Sequence, residues 1–397
     1  MATESNVAST SRSWRSVATV AGWQTAASLC YYTIFAATGF VRDAFTLSES
    51  LVGVFLTAAL LGYTVMLFPS GAAVDGFGEK RLMVVGLAAL AVAAVGVSLA
   101  PSYGLLLGAG AVLGAAYSTA MPASNRAIVA SSPPGRQGLA MGLKQVGVTA
   151  GSGVASLLIT GVAAVAAWRI GFWVVAALAG GYALGFVALY DGSSGSGEFS
   201  LPDLSGLWDN RAYVLLVAAG LFVGASIFSM LGYTVLYVQD AVGASAAAGG
   251  IVLALTQVTG SVGRIGAGSL ADRLGGAKGA ATVALGQLAF AVVLFGVLAG
   301  GSWSLPVAVV LFVGLGLSIH GSTGVFYSCL SELVDSDDIG GATAGGQTAI
   351  NTGGLVAPPL FGLLVETSGY GLGWGLLTVT ALIATVLFAG VLWRLQT

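Results

Sequence analysis

The sequence predicts an all-α membrane protein of twelve transmembrane helices arranged as two six-helix bundles. Three observations carry this. Hydrophobic residues fill 56% of the 397 positions and charged residues only 8%, with a mean hydropathy of +0.93. A soluble domain carries roughly a quarter charged residues, so this chain cannot cover a water-facing surface. The apolar stretches run near the ~20 residues a helix needs to cross the hydrocarbon core, and no series of short alternating strands replaces them. Finally, the two halves of the chain repeat one loop motif 197 residues apart.

Taken in order, the apolar spans fall at 17–40, 48–70, 81–100, 103–130, 137–165, 168–190, 211–239, 247–271, 279–300, 303–334, 340–367 and 373–394. The polar stretch MATESNVASTSRSWR runs straight into the first span, which predicts no cleaved signal peptide. The long polar segment YDGSSGSGEFSLPDLSGLWDN (190–210) has six spans on each side, and its Gly, Ser and Asp content marks a flexible linker. The predicted organisation is a bundle at 1–190, a cytoplasmic linker at 191–208 and a bundle at 209–397. With the N-terminus in the cytoplasm, Arg12, Arg15, Lys80, Arg81, Arg126, Arg136, Arg211, Arg273, Lys278 and Arg394 fall inside. Arg42 and Arg169 fall outside. That asymmetry satisfies the positive-inside rule with both termini cytoplasmic. Acidic residues crowd two of the inner loops: Asp191, Glu198, Asp203 and Asp209 in one, Asp335, Asp337 and Asp338 in the other.

The repeat is read from GAAVDGFGEKR (71–81) and GSLADRLGGAK (268–278). Each has Gly, Asp four residues on, Gly three further, and a base three further. The positions are Gly71, Asp75, Gly78 and Arg81 in one copy, and Gly268, Asp272, Gly275 and Lys278 in the other, with Arg273 added after the second Asp. Both copies follow the second span of their half. A fainter echo joins GLAMGLKQ (138–145) to GATAGGQT (341–348). Parallel repeats of six helices are a transporter architecture. The glycines suit close helix approach, the aspartates suit helix N-termini, and the bases suit acids or lipid phosphates.

This duplicated Gly-x-x-x-Asp-x-x-Gly-x-x-Lys/Arg loop, on a twelve-span plan covering the whole chain, resembles the signature of the major facilitator superfamily. The first copy departs from the family pattern at Gly76, where a base often follows the Asp; the second keeps it as Arg273. The resemblance implies a central cavity between two bundles, alternating access, and a role for these loops as a conformational gate.

One residue points to a solute. Arg264 lies eight residues, roughly 12 Å of helix, from Asp272, inside the apolar stretch SVGRIGAGSLADRLGGAKG. An arginine in mid-span costs roughly 2.5–3.5 kcal/mol on insertion scales, and such residues are functional by default. The repeat supplies a control: the matching position in the first half is Leu67. Gln257, Ser261 and Arg264 share one helix face, with Gly260 and Gly268 beside them. A guanidinium on that stripe can hold a carboxylate through two donors, or pair with a carboxylate at the cytoplasmic end. The stretch GRIGAGSLAD is similar to the eighth helix of monocarboxylate and oxalate/formate-type carriers, and that resemblance implies an anion-binding Arg264. The acid that some monocarboxylate carriers have one turn earlier is replaced by Gly260. The lysine of oxalate-type eleventh helices is also missing, and Gln347 and Asn351 offer the polar groups there.

The resemblance implies that the first, fourth, seventh and tenth helices line the cavity, and each carries a tyrosine on a polar stripe: Tyr31, Tyr117, Tyr233 and Tyr327. Gln24 and Ser28 accompany the first, Ser124 the second, and Ser226, Ser229 and Tyr237 the third. His320, the single histidine, and Thr323 accompany the fourth. His320 suits either proton coupling or neutral hydrogen bonding. Lys144 suits either the cavity or snorkelling to the interface.

The expected function is a secondary transporter for a small organic anion, a mono- or dicarboxylate, working as an exchanger or with protons. The alternatives are a proton-driven drug or metabolite exporter and a non-transporting receptor. The fifth span lacks the Gly-Pro pair of many drug/proton antiporters. An enzyme is not expected: no nucleotide loop and no nucleophile–base pair is marked. No cofactor, metal or nucleic-acid partner is expected, and Cys30 and Cys329 lie inside spans as small packing residues. The expected partners are a small anionic solute and the lipid bilayer, with the chain acting as a monomer.

Overall fold

The computed structural model describes residues 2–133, 136–192, 195, 197, 199, 205–335 and 338–396, without the side chains of 2–13, 138 and 205. Glu198, Asp203 and Asp337, with half of the predicted linker, lie outside the described residues. Among those described, the regular structure is helical. Eleven stretches are long and apolar enough to cross a membrane, and α1 (Ala2–Ala36) supplies the first predicted span. A short α2 (Thr38–Phe45) turns back into α3 (Glu49–Phe77) and α4 (Glu79–Leu99). The fourth span is two helices, α5 (Tyr103–Tyr117) and α6 (Ala120–Ser131). Next come α7 (Gln137–Val165), α8 (Trp168–Leu189), α9 (Arg211–Asp240), α10 (Ala246–Leu274) and α11 (Gly276–Ala299). The tenth span is α12 (Leu305–Leu315), one π turn (Gly316–His320) and α13 (Ser322–Leu333). Last are α14 (Ile339–Ser368) and α15 (Tyr370–Arg394).

Local chemistry sets several of these starts. The Ser102 hydroxyl accepts from the Leu105 amide, and Ser245 from Ala248. Asn210 Oδ1 accepts from the amides of Ala212 and Tyr213 at 3.1 Å. Each satisfies donors that a helix start leaves open.

By internal contacts the chain forms two compact units: residues 1–33 with 62–201, and residues 34–61 with 202–397. A cut at the polar segment alone would have left 34–61 with the first unit. In the first unit, Trp23 donates its indole N–H to Met83 O at 3.0 Å. Gly147 and Gly151 bring α7 onto the backbone of α1 at Ala21 and Thr25, where a methyl group would not fit. In the second unit, Gly224 faces Ile350 O and Gly353 faces Leu221 O, so α9 and α14 touch backbone to backbone. Without a strong hydrophobic drive between helices in lipid, such close approach is what holds them.

Hydrogen bonds explain why 34–61 groups with the second unit. Thr57 donates to Leu355 O at 2.7 Å. Arg42 forks onto both oxygens of Asp240 and also reaches Glu49 at 2.7 Å, while Tyr370 donates to Asp240 at 2.9 Å. Burial works against the Arg42 charge, but hydrogen bonds to Asp240 and Glu49 more than offset it, so its pKa is raised. Sequence reading missed this cluster: Arg42 and Asp240 lie 198 residues apart.

Candidate functional site

Both copies of the repeated loop turn where only glycine is comfortable. Gly78 has φ +85° and Gly275 φ +83°, each just before the next helix. One sequence expectation is corrected here. A methyl group added at Gly71 or Gly268 would meet nothing, so these glycines do not mediate close packing. The residues that start α4 and α11, Gly78 and Gly275, have no side chain with which to cap them. Asp75 accepts from Arg126 at 3.0 Å, and Arg126 also faces the buried carboxylate of Glu79, Nε to Oε2 3.4 Å. Tyr190 donates to Glu79 at 3.3 Å. Arg81 stacks over the Phe77 ring and forms no ion pair among the described residues. In the second copy, Asp272, Arg273 and Lys278 are exposed and form no ion pair among the described residues. We expect Asp75→Asn to lower the maximal transport rate several-fold with little change in KM, and Asp272→Asn to do less. The Asp75–Arg126 pair is half exposed, so its loss should shift thermal stability by no more than ~1 kcal/mol. Transport kinetics set beside a melting curve check this.

In the second unit, Arg264 projects from α10 to the π turn of the tenth span. Its Nε donates to His320 O at 3.3 Å and its Nη2 lies 3.3 Å from His320 Nε2. Its stem lies on Gly324, where an added methyl carbon would be 3.2 Å from Arg264 Cβ. The imidazole rests against Gly260, and a methyl group there would overlap Cδ2. Thus the glycine that replaces an acid one turn before Arg264 leaves room for the histidine ring. Tyr327 on α13 donates to Gln347 Oε1 at 2.5 Å, and Gln347 Nε2 donates to Asn351 Oδ1 at 2.8 Å. Tyr327 is also close enough to feel the guanidinium charge. The structure therefore gathers Arg264, His320, Tyr327, Gln347 and Asn351. Gln257 is buried on the same helix as Arg264, one turn before Gly260. Tyr233 is engaged elsewhere: its hydroxyl bonds to Glu49 O and Pro358 O, and its ring lies on Phe361. An apolar groove beside the π turn, lined by Leu270, Leu274, Phe290 and Leu317, has no charged side chain in its lining.

In the first unit, Tyr31 and Tyr117 stack with centroids 4.2 Å apart and planes 2° from parallel. Tyr32 and Tyr63, which sequence reading did not single out, meet Tyr117 edge-on. Below the pair runs a buried hydrogen-bond chain: Tyr117 to Ser28 at 3.1 Å, Gln24 to Ser28 at 3.3 Å, and Ser124 to Gln24 at 2.8 Å. Lys144 does not snorkel. It is wholly buried, and its Nζ donates to Asn125 Oδ1 at 2.6 Å and lies 3.6 Å from Met121 Sδ. Asn125 carries no sequence signal of its own; only the folded α6–α7 contact reveals it.

A multi-pass helical membrane protein, with an internally repeated loop and buried polar clusters in each unit, is the class these features define. The Major Facilitator Superfamily model matches residues 21–344, and the chain belongs to that superfamily. Among curated proteins it is similar to a probable sulfoacetate transporter, SauU, of Cupriavidus necator, with 25% identity over 83% of this chain and 82% of that one. It is also similar to a hexuronate transporter of Bacillus subtilis, at 22% identity with the same shares covered. Among solved structures it resembles a bacterial homologue of the human lysosomal transporter Spinster. The inward-facing occupied form aligns with a TM-score of 0.77 at 15% identity, covering 94% of this chain and 96% of that one. The unoccupied form gives 0.78 at 14%, covering 96% of each. These solved structures support the fold alone. The protein is a membrane transporter, not an enzyme.

Proposed function

We propose that this transporter carries a small organic anion bearing a carboxylate or sulfonate group, and that Arg264 binds that group. The carrying observation is the guanidinium fork set among polar side chains at the π turn, at a depth where the repeat has Leu67 in the other half. Arginine presents paired donors matched to planar or tetrahedral oxyanions. Both curated relatives are named for organic anions, sulfoacetate and a hexuronate. Tyr327, Gln347 and Asn351 supply neutral donors and acceptors for the rest of the solute. Lys144 places a buried amine in the first unit. With both termini cytoplasmic, the Asp75 and Asp272 loops face the cytoplasm and act as its gate.

A thermal-shift screen of the purified protein tests the reading. Sulfoacetate, glucuronate and small dicarboxylates should raise the melting temperature in a concentration-dependent way, because a ligand that binds only the folded state stabilises it. Lipophilic cationic drugs should not. A response to the cations alone would sink the anion reading.

A further inference from the structure

Arg264 and His320 form a pair that one imidazole tautomer satisfies, although its Nδ1 is buried with no hydrogen-bond partner among the described residues. A guanidinium has no acceptor, so the imidazole Nε2 that faces Arg264 Nη2 at 3.3 Å must be the acceptor. An acceptor Nε2 means a neutral ring with its proton on Nδ1. His320 is 3% exposed. Among the described residues the charged group beside it is Arg264, and no carboxylate faces it. A protonated ring would set a second cation against the first and remove the acceptor.

The backbone is built for this contact. One π turn, Gly316–His320, interrupts an otherwise α-helical span. Such single-turn insertions are rare and shift the face that later residues present. Glycines on both sides leave room: on α10, Gly260 lies under the ring and Gly263 under Leu317 O, and in the turn itself Gly316 lies against Thr256 O. The His320 carbonyl takes the Arg264 Nε–H as well, so one residue holds the guanidinium from two sides.

We propose that His320 is the positioning residue for the anion-binding arginine: its neutral Nδ1–H tautomer uses Nε2 as a fixed acceptor that aims the guanidinium fork. The proposal rests on the reading of Arg264 as the anion-binding group. The ring touches the arginine and sets where its donors point. An arginine without this bond is held by fewer fixed contacts, so more of its ordering falls to the moment the solute binds, at the expense of affinity.

The chain has one histidine, so histidine-selective 15N labelling of the full-length protein gives a single imidazole to observe. At neutral pH its two nitrogens should show the neutral ring protonated at Nδ1, and Arg264→Gln should change the Nε2 signal. A protonated ring, or a proton on Nε2, would overturn the proposal whatever the solute. Sulfoacetate binding reads the consequence. His320→Leu, which has no acceptor, should weaken binding about tenfold, the worth of one hydrogen bond to a charged group. His320→Gln puts an amide oxygen near the lost Nε2 and should restore binding to within about threefold. Equal losses in both variants would mark a packing role and contradict the proposal, as would no loss in either. If Arg264→Gln binds sulfoacetate as tightly as the unmodified protein, the functional reading fails instead, and the nitrogen spectrum still decides whether the pair exists.

Discussion

Replacing Arg264 by glutamine should reduce uptake of sulfoacetate-like anions about a hundredfold or more, while Arg264→Lys should keep part of it. The solute's oxyanion and the guanidinium form a buried, hydrogen-bonded charge pair, and truncating one partner of such a pair costs roughly 2–5 kcal/mol. At ~1.4 kcal/mol per tenfold, the lower half of that range already spans about one and a half to two and a half orders of magnitude. Lysine keeps the charge but loses the planar fork, so it should recover affinity only in part. Both variants should reach the membrane at normal levels, since Arg264 bonds at the π turn and not in the α9–α14 seam. Vesicle uptake beside an expression blot gives both numbers.

The second large effect concerns stability. Gly353→Ala should destabilise the protein by ~3 kcal/mol or more, seen as loss of folded protein from the membrane. Its methyl group would enter the space of Leu221 O, and a backbone carbonyl cannot swing aside as a side chain can. Gly224→Ala should behave alike, because its methyl group would meet Ile350 O on the facing helix. The control is Gly180→Ala, where an added methyl group meets nothing. That change should be neutral or stabilise by about 0.5–1 kcal/mol, through the higher helix propensity of alanine. Melting curves of the three variants in detergent check the contrast.

What the sequence made legible follows from periodicity and cost. Long apolar runs located the spans, because a bilayer leaves the backbone few other choices. The repeat located Gly78 and Gly275, whose positive φ angles show why glycine recurs there. Its reading of Gly71 and Gly268 as packing residues failed, since one motif can hold glycines kept for different reasons. Arg264 stood out because an arginine in mid-span is expensive. Its partner could not be read in the same way. Placing His320 on an ideal helix gives the wrong phase once a π turn intervenes, and nothing in GLSIH announces that turn. The burial of Lys144 against Asn125 and the Arg42–Asp240 fork escaped for another reason: both join residues distant in sequence. The break at Ser118 and Thr119 that divides the fourth span was missed as well, because the whole stretch was read as one span by its length.

The central claim is that Arg264 holds the anionic group of the solute. Equilibrium titration of the purified, full-length protein with sulfoacetate tests it without the complications of turnover or coupling. Saturable binding to the unmodified protein that is weaker in Arg264→Lys and lost in Arg264→Gln, with all three proteins melting at similar temperatures, is the predicted result. Undiminished binding to a folded Arg264→Gln protein would contradict the account.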